Sequence, residues 1–190
     1  MKRCIALFND GWADWEAGPV LAVLREHFGW TIKIATPQGD DTESIGGIRA
    51  RADMSFDEVD PAQANLILAI GSEQWFLREQ ENVYDLLRKA VAKNVPVGAI
   101  CAATLAAARA GILDDRDHTS NSANFLKENA PKYKGDLHYK NVAAAVENRG
   151  VITACGDAPI TFAAEVIRLV EPTKAELADQ YLSMMRAEHS

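Results

Sequence analysis

Pro96-Val97-Gly98-Ala99-Ile100-Cys101-Ala102-Ala103-Thr104-Leu105-Ala106-Ala107-Ala108-Arg109-Ala110-Gly111 is the stretch from which the rest of the chain is read. Residues 96–100 are uncharged and mostly apolar, without polar alternation, which is how a strand covered on both faces reads. Residues 102–110 are alanine-rich, a strong helix former, and Gly111 closes them. Cys101 stands at the junction. Moving toward the N-terminus, residues 82–93 place Val83, Leu86, Leu87, Ala90 and Val91 on one stripe and predict an amphipathic helix. Before it, Asn65–Ile70 is apolar after its first residue and stops at Gly71, a second buried strand. Cys4–Phe8, ended by Asn9-Asp10-Gly11, is another, and Thr31–Thr36 alternates up to Pro37. Residues 15–28 carry Val20, Val23, Leu24 and Phe28 near helical spacing; Pro19 inside them implies a kink or a later start. The polar, glycine-punctuated segment 38–60 predicts a small hairpin around Ile45–Arg51.

Toward the C-terminus, His118-Thr119-Ser120 reads as a short strand and residues 122–129 as a helix. Ala143–Glu147 and Val151–Ala154 flank the turn Asn148-Arg149-Gly150, a hairpin. Helices follow over 159–170, with Pro159 suited to a first turn, and over 174–187. Strands alternating with helices of ten or more residues imply βαβ units. The expected fold is α/β: one domain over residues 1–190, with a three-layer, doubly wound, mostly parallel sheet and helices on both faces, flavodoxin-like.

Bulk composition narrows the function. The 190 residues are 48% hydrophobic and 25% charged, with 20 Lys plus Arg against 27 Asp plus Glu, a net charge of −7. An acidic chain without a basic run is poorly matched to a phosphate backbone, so nucleic-acid binding is not expected. No apolar run approaches the roughly 20 residues of a membrane span, and the N-terminal apolar run is too short for a signal-peptide core. A cytoplasmic location is the expectation. Three widely spaced cysteines, 4, 101 and 155, signal neither a disulfide framework nor a zinc site, and no metal or cofactor is called for.

In doubly wound sheets, chemistry collects at the carboxyl ends of the strands. Asn9–Glu16, Gly71–Trp75 and Cys101 fall there. A cysteine at a tight strand-to-helix turn is held out at the sheet edge, the geometry of a nucleophile elbow. The following helix offers free N–H groups, which lower a thiol pKa and can stabilise an oxyanion. The competing reading of Cys101 is a small hydrophobe in a crowded junction. Cys4, inside a strand, and Cys155, ending one beside Gly156, read as structural.

Residues 97–113 resemble the nucleophile-elbow segment of the DJ-1/PfpI superfamily, which has the class I glutamine-amidotransferase-like fold. Asp14-Trp15-Glu16 after the first strand matches that family's acidic residue at the start of its first helix. Gly71-Ser72 falls where the family has Pro-Gly-Gly, and 151–159 looks like its late strand and the turn into its penultimate helix. The resemblance implies Cys101 as nucleophile and Glu16 hydrogen-bonding its sulfur. It implies the N–H groups of Gly71 and Ala102 as an oxyanion hole, and a homodimer. A carboxyl beside a thiolate is pushed toward its protonated form, and the pair titrates as a unit. Taken alone, Glu16 reads as an ordinary first-turn glutamate favoured by the helix dipole.

The departures from the family pattern narrow the chemistry. PfpI-type peptidases and glyoxalase-like relatives often carry His directly after the nucleophile, where this chain has Ala102. The His-x-Glu pair of a glutaminase triad is absent late in the chain. In the DJ-1-like branch a His follows the strand after the nucleophile helix. The register puts Asn121 at that position, with His118 three residues earlier and therefore on the opposite strand face. Either His118 serves from a shifted register or Asn121 stands in place of a base. Trp12, Trp15 and Trp75 fall in rim loops and read either as walls of a pocket over Cys101 or as part of a dimer interface. Two functions stay open. One is a cysteine-dependent enzyme acting on a small electrophilic molecule by hydrolysis or hydration. The other is a redox-responsive, stress-protective protein whose Cys101 is oxidised. A peptidase or glutamine amidotransferase is disfavoured by the missing histidines.

Overall fold

Cys4 and Ala6 of the first strand pack toward one layer of helices, and Ile5 and Leu7 toward the other. That division runs through the whole sheet. The computed structural model describes residues 1–186. Its strands are β1 (Arg3–Leu7), β2 (Thr31–Thr36), β3 (Thr42–Glu43), β4 (Arg49–Ala50), β5 (Met54–Ser55), β6 (Leu66–Ala69), β7 (Val97–Ile100), β8 (Val146–Asn148) and β9 (Val151–Ala154). Seven of them form one sheet in the order β5-β2-β1-β6-β7-β9-β8. Every neighbouring pair is parallel except β8 with β9. The four-residue strands β6, β7 and β9, apolar but for Thr153, are buried at every position, as strands covered twice must be.

The helices are α1 (Asp14–Glu26), α2 (Gln74–Leu77), α3 (Glu81–Ala92), α4 (Thr104–Arg109), α5 (Ala123–Asn129), α6 (Pro159–Val170) and α7 (Ala175–Arg186). Ala17, Val20 and Leu24 of α1 and Phe162 and Val166 of α6 cover one face. Val83, Leu86 and Leu87 of α3, Leu105 of α4 and Leu126 of α5 cover the other. Ala178 of α7 packs outside α1 and α6, on Val23, Ala164 and Ile167. At Gly98 a Cβ would stand 2.6 Å from a Leu68 methyl and 2.8 Å from the Phe162 ring, so glycine is what lets α6 settle onto β7.

The chain leaves β1 for β2 on one side and returns through β6 on the other. In such sheets a reversal of this kind marks the usual ligand position, at the carboxyl ends of the strands.

Several local expectations change. α1 begins at Asp14 and runs straight through Pro19, with neither a later start nor a break. The hairpin of the 38–60 segment is only the two-residue pair Thr42–Glu43 with Arg49–Ala50. The helix after Cys101 opens with a 3-10 turn, Cys101–Ala103, before α4. His118-Thr119-Ser120 is no strand: His118 makes one isolated bridge to Tyr139, and side chains hold the rest. The β8–β9 turn places Arg149 at φ 49° and Gly150 at φ 82°, the left-handed pair a two-residue hairpin needs. The last residue of the expected final helix, 187, lies outside the described residues.

Candidate functional site

Cys101 sits at φ 58°, in the left-handed region, directly after the extended Ile100. A non-glycine residue held there costs about 1–3 kcal/mol and persists only when its surroundings impose it. Thr104 imposes part of it: its Oγ1 donates to the Cys101 carbonyl at 2.6 Å and shares a 2.7 Å hydrogen bond with Ser120 Oγ. The 118–121 segment is tied in turn to β9, where the Thr119 N–H donates to Thr153 Oγ1 at 2.8 Å. These bonds deliver Asn121 to the sulfur, with Nδ2 donating to Cys101 Sγ at 3.4 Å. Its other end is fixed as well, since Oδ1 accepts the Gly156 N–H at 3.0 Å. An amide held by a donor at its oxygen can only present its NH2 to sulfur.

Glu16 approaches from α1 with no exposure to solvent. Its Oε2 accepts the Gly71 N–H at 2.8 Å, and Oε1, without another hydrogen-bond partner, faces the Cys101 thiol. Burial raises the carboxyl pKa to about 7, against the pull of the thiol and Gly71 hydrogen bonds. Burial, then the Glu16 charge, raises the Cys101 thiol to about 11, opposed by the Asn121 and Ala102 hydrogen bonds. Two buried acids side by side favour holding protons over losing both. The lowered thiol pKa expected from the helix start is therefore corrected. The first turn is 3-10, α4 is six residues long, and desolvation wins.

The oxyanion hole expected from Gly71 and Ala102 is corrected too. The Gly71 N–H is consumed by Glu16 and the Gly71 carbonyl accepts from the Ala13 N–H at 2.9 Å, so that peptide has no donor to spare. The Ala102 N–H lowers the Cys101 thiol pKa, the smallest of the effects acting on it. His118 is fully buried and turned away: Nδ1 lies 2.7 Å from the Arg116 carbonyl and Nε2 2.5 Å from Tyr133 Oη. A carbonyl can only accept, so Nδ1 carries the proton and Nε2 accepts from the tyrosine. Burial lowers the His118 pKa and keeps the ring neutral. Its role is to brace Tyr133 and Tyr139, whose ring edges it meets.

Of the three rim tryptophans only Trp15 stays at the rim, half exposed, its indole N–H donating to the Gly156 carbonyl at 3.0 Å. Trp12 is buried and stacked on Phe8 at 4.4 Å, and Trp75 is buried against Phe56 with its N–H on the Ile70 carbonyl. Large apolar surface in a loop next to a sheet end is drawn into the core. Gly156 was not singled out by sequence reasoning, yet it is the hub. It takes Asn121 on its N–H and Trp15 on its carbonyl, and a Cβ there would stand 2.7 Å from Cys101 Sγ. The signal available was its place directly after a buried strand, in Cys155-Gly156-Asp157. Among the described residues no group of three or more His, Cys, Asp or Glu side chains is arranged to hold a metal.

The family model of the DJ-1/PfpI family matches residues 1–169. The chain belongs to the DJ-1/PfpI family. Its fold superposes on the crystal structure of a DJ-1 superfamily protein from Agrobacterium tumefaciens with a TM-score of 0.91, at 31% identity over all of both chains. A thiJ/pfpI family protein from Bacillus anthracis follows at 0.82 and 29%, covering 90% of this chain and 83% of that one. The Bacillus subtilis (strain 168) protein named "Uncharacterized protease YdeA" is 28% identical over 191 residues, 98% of this chain and 92% of that one. "Uncharacterized protease YoaZ" of the same strain is 31% identical over 167 residues, covering 84% and 79%. Membership of the DJ-1/PfpI family agrees with the mostly parallel flavodoxin-like sheet and with a cysteine at the end of β7. No helix of the described residues is long and apolar enough to cross a membrane.

Proposed function

We propose that this member of the DJ-1/PfpI family is a cysteine-dependent enzyme that hydrolyses or hydrates a small electrophilic molecule through Cys101. One observation carries the reading: Glu16, Asn121 and the Ala102 N–H converge on a single sulfur held at φ 58°. The thiol gives its proton to Glu16 as sulfur attacks the electrophilic carbon. The S–C bond forms, and the π electron pair of the attacked group moves to its oxygen or nitrogen. Asn121 Nδ2 and the Ala102 N–H then face the new negative charge. Glu16 returns the proton to that oxygen or nitrogen, and water then adds to the same carbon: the C–O bond forms, the S–C bond breaks, and a water proton passes through Glu16 to the departing sulfur. A carboxyl near 7 accepts and returns a proton at neutral pH, which is what a general acid–base needs. Asn121, an amide, can only donate or orient. The site therefore suits a substrate that is already electrophilic, rather than a peptide bond whose leaving amine must be protonated.

The half-buried position of the sulfur favours a second reading, a redox-responsive protein protecting against oxidants and turning over no substrate. Incubation with dicarbonyl, isonitrile and amide panels separates the two. Consumption of one class beyond a single equivalent, abolished in Cys101→Ala, is expected. No turnover of any class by protein whose Cys101 alkylates normally would overturn the enzyme reading in favour of the redox one.

The proposal includes a cytoplasmic homodimer. Exposed Trp15, Ile45 and Ile48 supply apolar surface for such an interface. Sedimentation at micromolar concentration tests the assembly, and a clean species of 20.7 kDa would count against it.

A further inference from the structure

β7 and β9 lie side by side in parallel, with Ile100 opposite Ala154 as their last paired residues. The next residue of each chain segment is a cysteine, Cys101 and Cys155. Adjacent strands run about 4.8 Å apart, inside the range of about 4.4–6.8 Å that Cα atoms span in disulfides. Cys101 Sγ lies 2.7 Å from where a Cβ of Gly156 would be, so it rests against the residue that follows Cys155. Gly156 therefore brings no side chain between Cys101 Sγ and the end of β9, where Cys155 stands. Both cysteines are partly exposed, whereas Cys4 is fully buried between the helices and the sheet.

The geometry points to Cys155 as a resolving cysteine for Cys101, closing an intramolecular disulfide after a hydroperoxide has oxidised Cys101. In the first step the Cys101 sulfur attacks one peroxide oxygen. The S–O bond forms, the O–O bond breaks, and the departing oxygen takes the thiol proton, relayed through Glu16. In the second step the Cys155 sulfur attacks the sulfur of the Cys101 sulfenic acid. The S–S bond forms, the S–O bond breaks, and the hydroxide leaves as water with the Cys155 proton. Two thiols and one hydrogen peroxide yield one disulfide and two waters, and the peroxide accepts both electrons. Without a resolving thiol, a sulfenic acid proceeds to the irreversible sulfinic acid. Cys155 therefore makes oxidation of the site reversible by thiol reductants. This chemistry needs no organic substrate, so it stands independently of whether Cys101 turns one over.

The test treats the full chain with excess hydrogen peroxide, unfolds it in N-ethylmaleimide without reductant, and maps the peptides by mass. Wild type is expected to take one maleimide, at Cys4. Its peptides carrying Cys101 and Cys155 should be linked, and dithiothreitol should restore three reactive thiols. Cys155→Ser, checked for folding by circular dichroism, is expected to gain two oxygen atoms on Cys101 that dithiothreitol does not remove. Wild-type protein whose Cys101 is sulfinic while Cys155 still takes maleimide would overturn the proposal, and that result is decisive even if the Cys155→Ser variant does not fold.

Discussion

Asn121→Asp puts a negative oxygen where an N–H now meets the nucleophile. The side chain keeps its size, and Oδ1 can still accept the Gly156 N–H; only the atom 3.4 Å from Cys101 Sγ changes character. At that separation two unit charges repel by about 5 kcal/mol at an effective dielectric near 20 and by about 1 kcal/mol in water. Asn121 is exposed, so screening holds the effect near the lower figure. The thiol pKa should rise by about one unit, and alkylation below that pKa should slow about tenfold. Asn121→Ala removes the donor without adding charge and should cost about 1 kcal/mol, a several-fold slowing. His118→Ala should leave the thiol profile unchanged, because that ring is bonded to Arg116 and Tyr133, and should lower stability instead. The assay is the rate of iodoacetamide alkylation of Cys101 followed from neutral to alkaline pH, located by peptide mapping. An Asn121→Asp profile superimposable on wild type, or a profile displaced by His118→Ala, would refute this account of the site.

Two further outcomes follow from the same geometry. Glu16 has a folded pKa of about 7 against a reference value of 4.5, so its contribution to stability is complete below the reference value and is lost as pH rises through about 7. Glu16→Gln should therefore gain on wild type between about pH 5 and about pH 8, by up to about 3 kcal/mol in denaturant titrations, and a difference independent of pH would contradict it. Gly156→Ala drives a methyl group to 2.7 Å from Cys101 Sγ and 3.2 Å from Glu16 Oε1. It should cost about 1–3 kcal/mol in thermal unfolding and slow Cys101 alkylation, and unchanged values for both would show that the space exists.

Much of this protein was legible along the chain because strand and helix periodicity are local properties. The runs 4–8, 65–70 and 97–100 could be read as doubly covered strands before any neighbour was known, since no polar residue interrupts them. The step from Ile100 through Cys101 into an alanine-rich helix marked a sheet-edge thiol in the same way. Glu16 was legible only as a candidate, because nothing local distinguishes a first-turn glutamate aimed at water from one sealed under a neighbouring loop. The strand expected at 118–120 failed for a related reason: Thr119 is held by the side chain of Thr153 rather than by a ladder, and that partner lies far along the chain.

What the sequence by itself determined was the α/β alternation, the parallel sheet and the elbow at Cys101, all consequences of which residues follow one another. What only the tertiary structure decided was who competes for each polar group. Gly71 spends its N–H on Glu16, His118 spends both nitrogens on Arg116 and Tyr133, and Trp12 and Trp75 are drawn into the core. The thiol answers to burial and to a carboxylate more strongly than to the helix that follows it. Hydrogen-bond partners and desolvation are set by segments as distant along the chain as Trp15 and Gly156 meeting in space, and no period or motif in the chain encodes that meeting.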